Sequence, residues 1–93
     1  MKKSTELVID RPQRWAKQLA SHVGNRAEVV SENEVSKITF GFGGTGTIST
    51  SETAVLLSAE ADSEENLSRI QEILGSHLLR FAKLEGQLTL HWN

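Results

Sequence analysis

The side chains with the widest chemical range in this sequence are its three histidines, His22, His77 and His91. Imidazole can ligate a metal ion, relay a proton or bind a ligand near neutral pH. No two of the three stand at the i, i+4 spacing that pairs ligands on one helix. Strand alternation sends His91 to the sheet face opposite the helices, so a three-histidine metal site is not expected. His22 and His77 fall on two separate predicted helices and could meet as a pair. Lys17 and Arg80 lie on the same two helices and could hold an anion. Lys17, His22, His77 and Arg80 are therefore the candidate ligand-binding residues.

Each of these has a plainer reading. A histidine in a last helical turn, like His22, complements the helix dipole. His77 sits on an apolar stripe, where a core histidine with one hydrogen bond would look the same. Lys17 and Arg80, with Arg11, Arg14 and Lys83, also suit a solvated face. Catalytic constellations are absent from the pattern. Glu64-Glu65 opens a helix and does not converge with another carboxylate on a substrate. No serine lies in a nucleophile-elbow context. Gly41-Phe42-Gly43-Gly44-Thr45-Gly46 lies between two predicted strands, whereas a phosphate-cradling loop opens a helix, and it lacks the P-loop lysine. The chain has no cysteine, which removes disulfides, thiolate metal sites and a thiol nucleophile. No catalytic residue, metal or cofactor is assigned.

The element that must position this chemistry is Asp62–Leu84. Leu67, Ile70, Leu74, His77, Phe81 and Leu84 recur at spacings of 3, 4, 3, 4 and 3, with Ile73 and Leu78 widening the stripe. Asp62 is the expected N-cap, with Glu65 closing a capping box, and Gly86 the expected stop. Gly75, unfavourable in a helix interior by about 1 kcal/mol, implies a kink or a close approach to another backbone.

The rest of the chain reads as sheet material and a shorter helix. Ser4–Asp10 alternates as a strand. Pro12 opens a helix running to about Val23, with Trp15, Ala16, Leu19, Ala20 and Val23 on one face, and Gly24-Asn25 stops it. Strands follow at Ala27–Ser31, Val35–Phe42, Thr45–Ser51 and Thr53–Ala61, with turns at Ser31–Glu34, Gly43-Gly44 and Ser51-Glu52. After the long helix, Gln87–Trp92 is expected to close the sheet, with Leu88, Leu90 and Trp92 facing inward. The fold class is α+β, ordered β-α-β-β-β-β-α-β, an antiparallel sheet with both helices on one face. That order resembles the TATA-box-binding-protein-like and helix-grip folds, a likeness that carries no function.

The 93 residues suffice for one domain, and the whole of 1–93 is read as one. A net charge of −2 with interspersed signs argues against a nucleic-acid surface. No apolar run is long enough to span a membrane. Leu7-Val8-Ile9 is too short for a signal-peptide core, so a cytoplasmic location is expected. The outer sheet face, with Lys37, Thr39, Thr45, Thr47, Ser49, Thr89 and His91 around Val8, Val30 and Leu56, could stay in water or form a homodimer.

Arg11-Pro12, Lys17–His22, Phe40–Gly46, His77–Phe81 and Leu88–Trp92 together resemble the bacterial domain of unknown function 2218 family over nearly the whole chain. Trp15 stands where many members of that family carry tyrosine. The family has no established activity. Its members are similar to domains attached to some siderophore-interacting flavoproteins, which implies an association with iron or siderophore metabolism. The leading expectation is a small binding or accessory module, without catalysis, for a small ligand or a protein partner. The rivals are a metal- or acid/base-dependent enzyme using His22 and His77, and a structural homodimer through the open sheet face.

Overall fold

A computed structural model describes all 93 residues. Alternating strands and two amphipathic helices assemble as β1 (Lys2–Val8), α1 (Pro12–Val23), β2 (Glu28–Glu32), β3 (Val35–Thr39), β4 (Thr45–Thr50), β5 (Ala54–Glu60) and α2 (Glu64–Phe81). The five strands form one antiparallel sheet in the order β1-β5-β4-β3-β2. The fold is α+β, and both helices pack on one sheet face. The core cluster joins Leu19 and Val23 of α1 to Leu67, Ile70, Leu74 and Leu78 of α2, over Ile38, Ile48, Val55, Leu57 and Ala59.

Two glycines let α2 lie against the sheet. A Cβ on Gly46 would stand 2.9 Å from Leu74 Cδ1. One on Gly44 would stand 2.7 Å from Ile70 Cδ1 and 2.8 Å from the Glu60 carbonyl oxygen, and Gly44 also has a φ of +113°. Here the Gly43-Gly44 pair does two things: it supplies the positive φ of the β3–β4 turn and leaves room for the helix. Gly75 of α2 works in the same way toward the other side. Leu90 Cδ1 lies 3.3 Å from the position its Cβ would take, with the Trp92 ring next to it. A close approach accounts for this glycine, although by side chains and not by another backbone.

Several boundaries differ from the sequence reading. Ser63, not Asp62, caps α2: its backbone is extended, and its hydroxyl accepts from the Asn66 N–H at 3.2 Å. The helix also stops at Phe81, three residues short of Leu84. Lys83 takes the left-handed conformation at φ 60°. The Leu84 N–H then reaches the Leu79 carbonyl at 2.8 Å and the Lys83 N–H the Arg80 carbonyl at 3.1 Å. That is a Schellman closure with lysine in the place usually taken by glycine, so Gly86 belongs to the following turn. β3 ends at Thr39, and Phe40–Gly44 forms the turn, closed by Phe40 N–H to Gly44 O and Gly43 N–H to Phe40 O, both at 3.1 Å. The β2–β3 turn is tighter than expected: Asn33 and Glu34 alone carry positive φ, 51° and 64°, the geometry of a two-residue hairpin.

The C-terminal segment is not a regular strand. Turn bonds from Gln87 and Leu88 back to the Leu84 carbonyl use up the chain's length. Only its end reaches the β1 edge, where Asn93 and Ser4 exchange N–H···O bonds of 2.8 and 3.0 Å. Thr5 Oγ1 donates to the His91 carbonyl at 2.8 Å. Leu90 and Trp92 face the core side as expected, whereas Leu88 is 43% exposed.

Replacing Gly44 by alanine combines overpacking with an unfavourable φ, and is expected to cost about 2–4 kcal/mol. Gly41→Ala is the matched control, because nothing lies within 4 Å of its Cβ position; it should stay within about 0.5 kcal/mol of the parent. Urea denaturation of the two variants checks the contrast.

Candidate functional site

Helix α2 carries two stripes. Leu67, Ile70, Leu74 and Leu78 are buried in the core. Ile73 and His77 lie beside that row, half-buried, and turn toward the C-terminal end of α1. His22, exposed in the last turn of α1, meets His77 there. The two imidazole centroids are 4.6 Å apart, with the rings tilted at 46°. Phe81 completes the cluster, edge-on to His22 at 5.2 Å.

The His77 ring is oriented by its own helix. Nδ1 lies 2.6 Å from the carbonyl oxygen of Ile73, one turn earlier. A carbonyl only accepts, so Nδ1 carries the hydrogen and donates. In the neutral ring this leaves Nε2 with the free lone pair. The position of His77 thus has both a packing and a polar explanation, and the tautomer follows from the bond.

These groups border a cleft of about 460 Å³ lined by ten residues. Val23, Ala27, Phe40, Phe42 and Ile73 supply its apolar surface, and His22, His77, Arg26 and Arg80 its polar groups. Phe40 and Phe42 lie ring to ring at 5.2 Å. Phe42 is fixed on its other side by the Arg69 guanidinium, 4.0 Å above the ring, and through its carbonyl, which accepts from Asn66 Nδ2 at 3.2 Å. Arg80 is shared with Glu85, Nε to Oε2 at 3.3 Å, and both side chains are well exposed; an ion pair of that kind is worth little and yields readily to a ligand.

Of the four candidate ligand-binding residues, the structure brings His22, His77 and Arg80 to this one cleft. Lys17 lines a separate cleft of about 700 Å³ between α1 and the β2–β4 side of the sheet, with Arg14, Ser31 and Ser36. Residues 17 and 22 differ by five positions on one helix, which turns them to different faces. Arg26, Phe40 and Phe42 were not among the candidates. Arg26 follows the Gly24-Asn25 helix stop, and that reversal was the one signal that its side chain could return to the His22 end. Phe40 and Phe42 read as strand positions until the turn between them and Gly44 is seen. No group of three or more metal-ligating side chains converges anywhere. His91 is exposed at the far side, in the C-terminal segment where it runs beside β1.

An α+β domain with a mixed apolar and cationic cleft at the paired histidines, and no helix long and apolar enough to cross a membrane, defines the class. The chain belongs to the family described as "Uncharacterized protein conserved in bacteria (DUF2218)", whose pattern matches residues 4–93. No curated protein matches it. Among solved structures it is similar to the NMR structure of PA4090 from Pseudomonas aeruginosa. The TM-score is 0.81 at 23% identity, over 99% of this chain and 94% of that one. That likeness shows the fold.

Asn66 joins the start of α2 to the Phe42 wall of the cleft. Asn66→Ala is expected to lower stability by about 1 kcal/mol and to speed amide exchange in residues 41–44 while leaving the core strands protected. Hydrogen-exchange NMR with urea denaturation measures both effects.

Proposed function

We propose that the protein is a small-molecule binding module whose ligand is a flat, partly apolar anion. The observation that supports this is the meeting of His22 and His77 at a cleft with phenylalanine walls and guanidiniums at its rim. Pockets for small ligands are mostly apolar, with few polar groups that fix orientation. Phe40 and Phe42 offer ring surface. Arg26 and Arg80 offer donors suited to a carboxylate or similar anion. His77 Nε2 offers an acceptor for a ligand hydroxyl. No carboxylate lines the cleft beside the imidazoles, which favours binding over acid/base catalysis. A cytoplasmic location is part of the proposal through the sequence pattern alone, and a role beside iron or siderophore metabolism through the family resemblance alone; the latter suggests catecholates as one ligand set to try.

The test is a two-dimensional NMR titration of the metal-free, chelator-treated protein with benzoate, a catecholate and a flavin. Shifts should converge on His22, Arg26, Phe42, His77 and Arg80. Arg26→Ala should weaken binding about tenfold or more, as expected for a lost charged hydrogen bond of roughly 1.5–3 kcal/mol, and His77→Ala about two- to tenfold, as expected for a lost neutral one of roughly 0.5–1.5 kcal/mol, with the amide spectrum otherwise kept. Shifts centred instead on Arg14 and Lys17 would move the site to the other cleft. Turnover of a substrate by the purified protein, lost with His22→Ala or His77→Ala, would replace the binding reading by the enzymatic one.

A further inference from the structure

We propose that His22 and His77 form a two-imidazole site for a divalent transition-metal ion of the Zn²⁺ or Cu²⁺ type. The inference shares residues with the cleft described above but does not need an organic ligand to be bound. Its first support is the geometry. The two rings come from different helices yet stand 4.6 Å apart, tilted at 46° and not stacked flat. With the His77 ring held by its hydrogen bond, rotation of the exposed His22 side chain alone can then bring one His22 nitrogen and His77 Nε2 toward a common point.

The second support is the hydrogen bond behind His77. Metal-ligating histidines commonly donate their other ring N–H to a carbonyl or carboxylate, which fixes the tautomer and the ring orientation. His77 has this arrangement: Nδ1 donates to the Ile73 carbonyl at 2.6 Å, and Nε2 is left as the ligand. Imidazole pairs suit Zn²⁺ and Cu²⁺, and Cu²⁺ stands highest among the first-row divalent ions.

The surrounding charge decides what else the ion carries. His22 lies in the last turn of α1, where the helix dipole presents its negative end. Against this stand Arg26 and Arg80, of which Arg80 is shared with Glu85. Two neutral nitrogen ligands leave the remaining positions of a four-coordinate ion open to water or an anion. With Arg26 nearby, an anion bound to the metal gains a second partner. The site therefore takes a metal–anion unit in preference to a bare dication.

The probes are Zn²⁺ alone by isothermal titration calorimetry and Cu²⁺ alone by electron paramagnetic resonance, on the whole chain. One ion per chain should bind, with nitrogen hyperfine structure on the Cu²⁺ signal. His22→Ala and His77→Ala should each abolish saturable binding, and His91→Ala should leave it unchanged. His22 is exposed, so its variant keeps the fold; amide spectra verify this for His77→Ala. Imidazole ¹⁵N shifts supply an independent reading: His77 should be the Nδ1–H tautomer in the metal-free protein, and Zn²⁺ should shift Nε2. Binding that survives His77→Ala or follows His91, an Nε2–H tautomer, or no saturable binding of either ion overturns the proposal. The anion titration of the chelator-treated protein is read separately, so the two inferences can fail independently.

Discussion

The closeness of α2 to β4 is the constraint on which the rest of the structure depends. Ile70 and Leu74 occupy the space that Cβ atoms would need at Gly44 and Gly46. A helix seated this low fills the gap above Ala59 and Leu57 with its own leucines and leaves Ile70, Leu74 and Leu78 fully buried. Interiors are packed to crystal-like density, so a core of this size has little slack to absorb a shift. The glycines forgo side-chain burial at two positions and give close contact along a whole helical row.

The same seating places the cleft. Once Leu67, Ile70, Leu74 and Leu78 face the sheet, the helical repeat fixes Ile73 and His77 on the flank that meets α1. His22 arrives there because α1 ends at Val23. The Ile73–His77 hydrogen bond then sets the ring without help from any other element. The phenylalanine wall depends on α2 as well, through Asn66 and Arg69 on Phe42. One helix thus organises the core on one stripe and the site on the next.

The sheet has two edges, and they are treated differently. β1 is closed at its end by the Asn93–Ser4 pair, with Leu90 and Trp92 anchored against Gly75. β2 is the other edge strand, and Glu28 and Glu32 flank Val30 on it. Antiparallel pairing of two such edges about Val30 sets Glu28 opposite Glu32, a like-charge contact that discourages association. The outer face keeps Val8, Val30 and Val35 exposed.

The sequence by itself determined the kinds and order of the main elements. Alternation in Val35–Thr39 and Ala54–Glu60, and the 3-4 spacing of Leu67 to Leu78, follow from where side chains must point, and that is local geometry. It also named Lys17, His22, His77 and Arg80 as candidates, because few residue types can bind a ligand or a metal. Tertiary structure decided the strand order, since β1 joins its neighbour only after the chain has passed through α1 and the other strands. It decided the irregular C-terminal segment too, where turn bonds at Leu84 and the groove at Gly75 outweigh the strand pattern of Leu88–Trp92. It separated Lys17 from the histidines and added Arg26, Phe40 and Phe42. Contacts between residues far apart in the chain depend on how elements are stacked, and a sequence period fixes the face of an element but not the neighbour that face will meet.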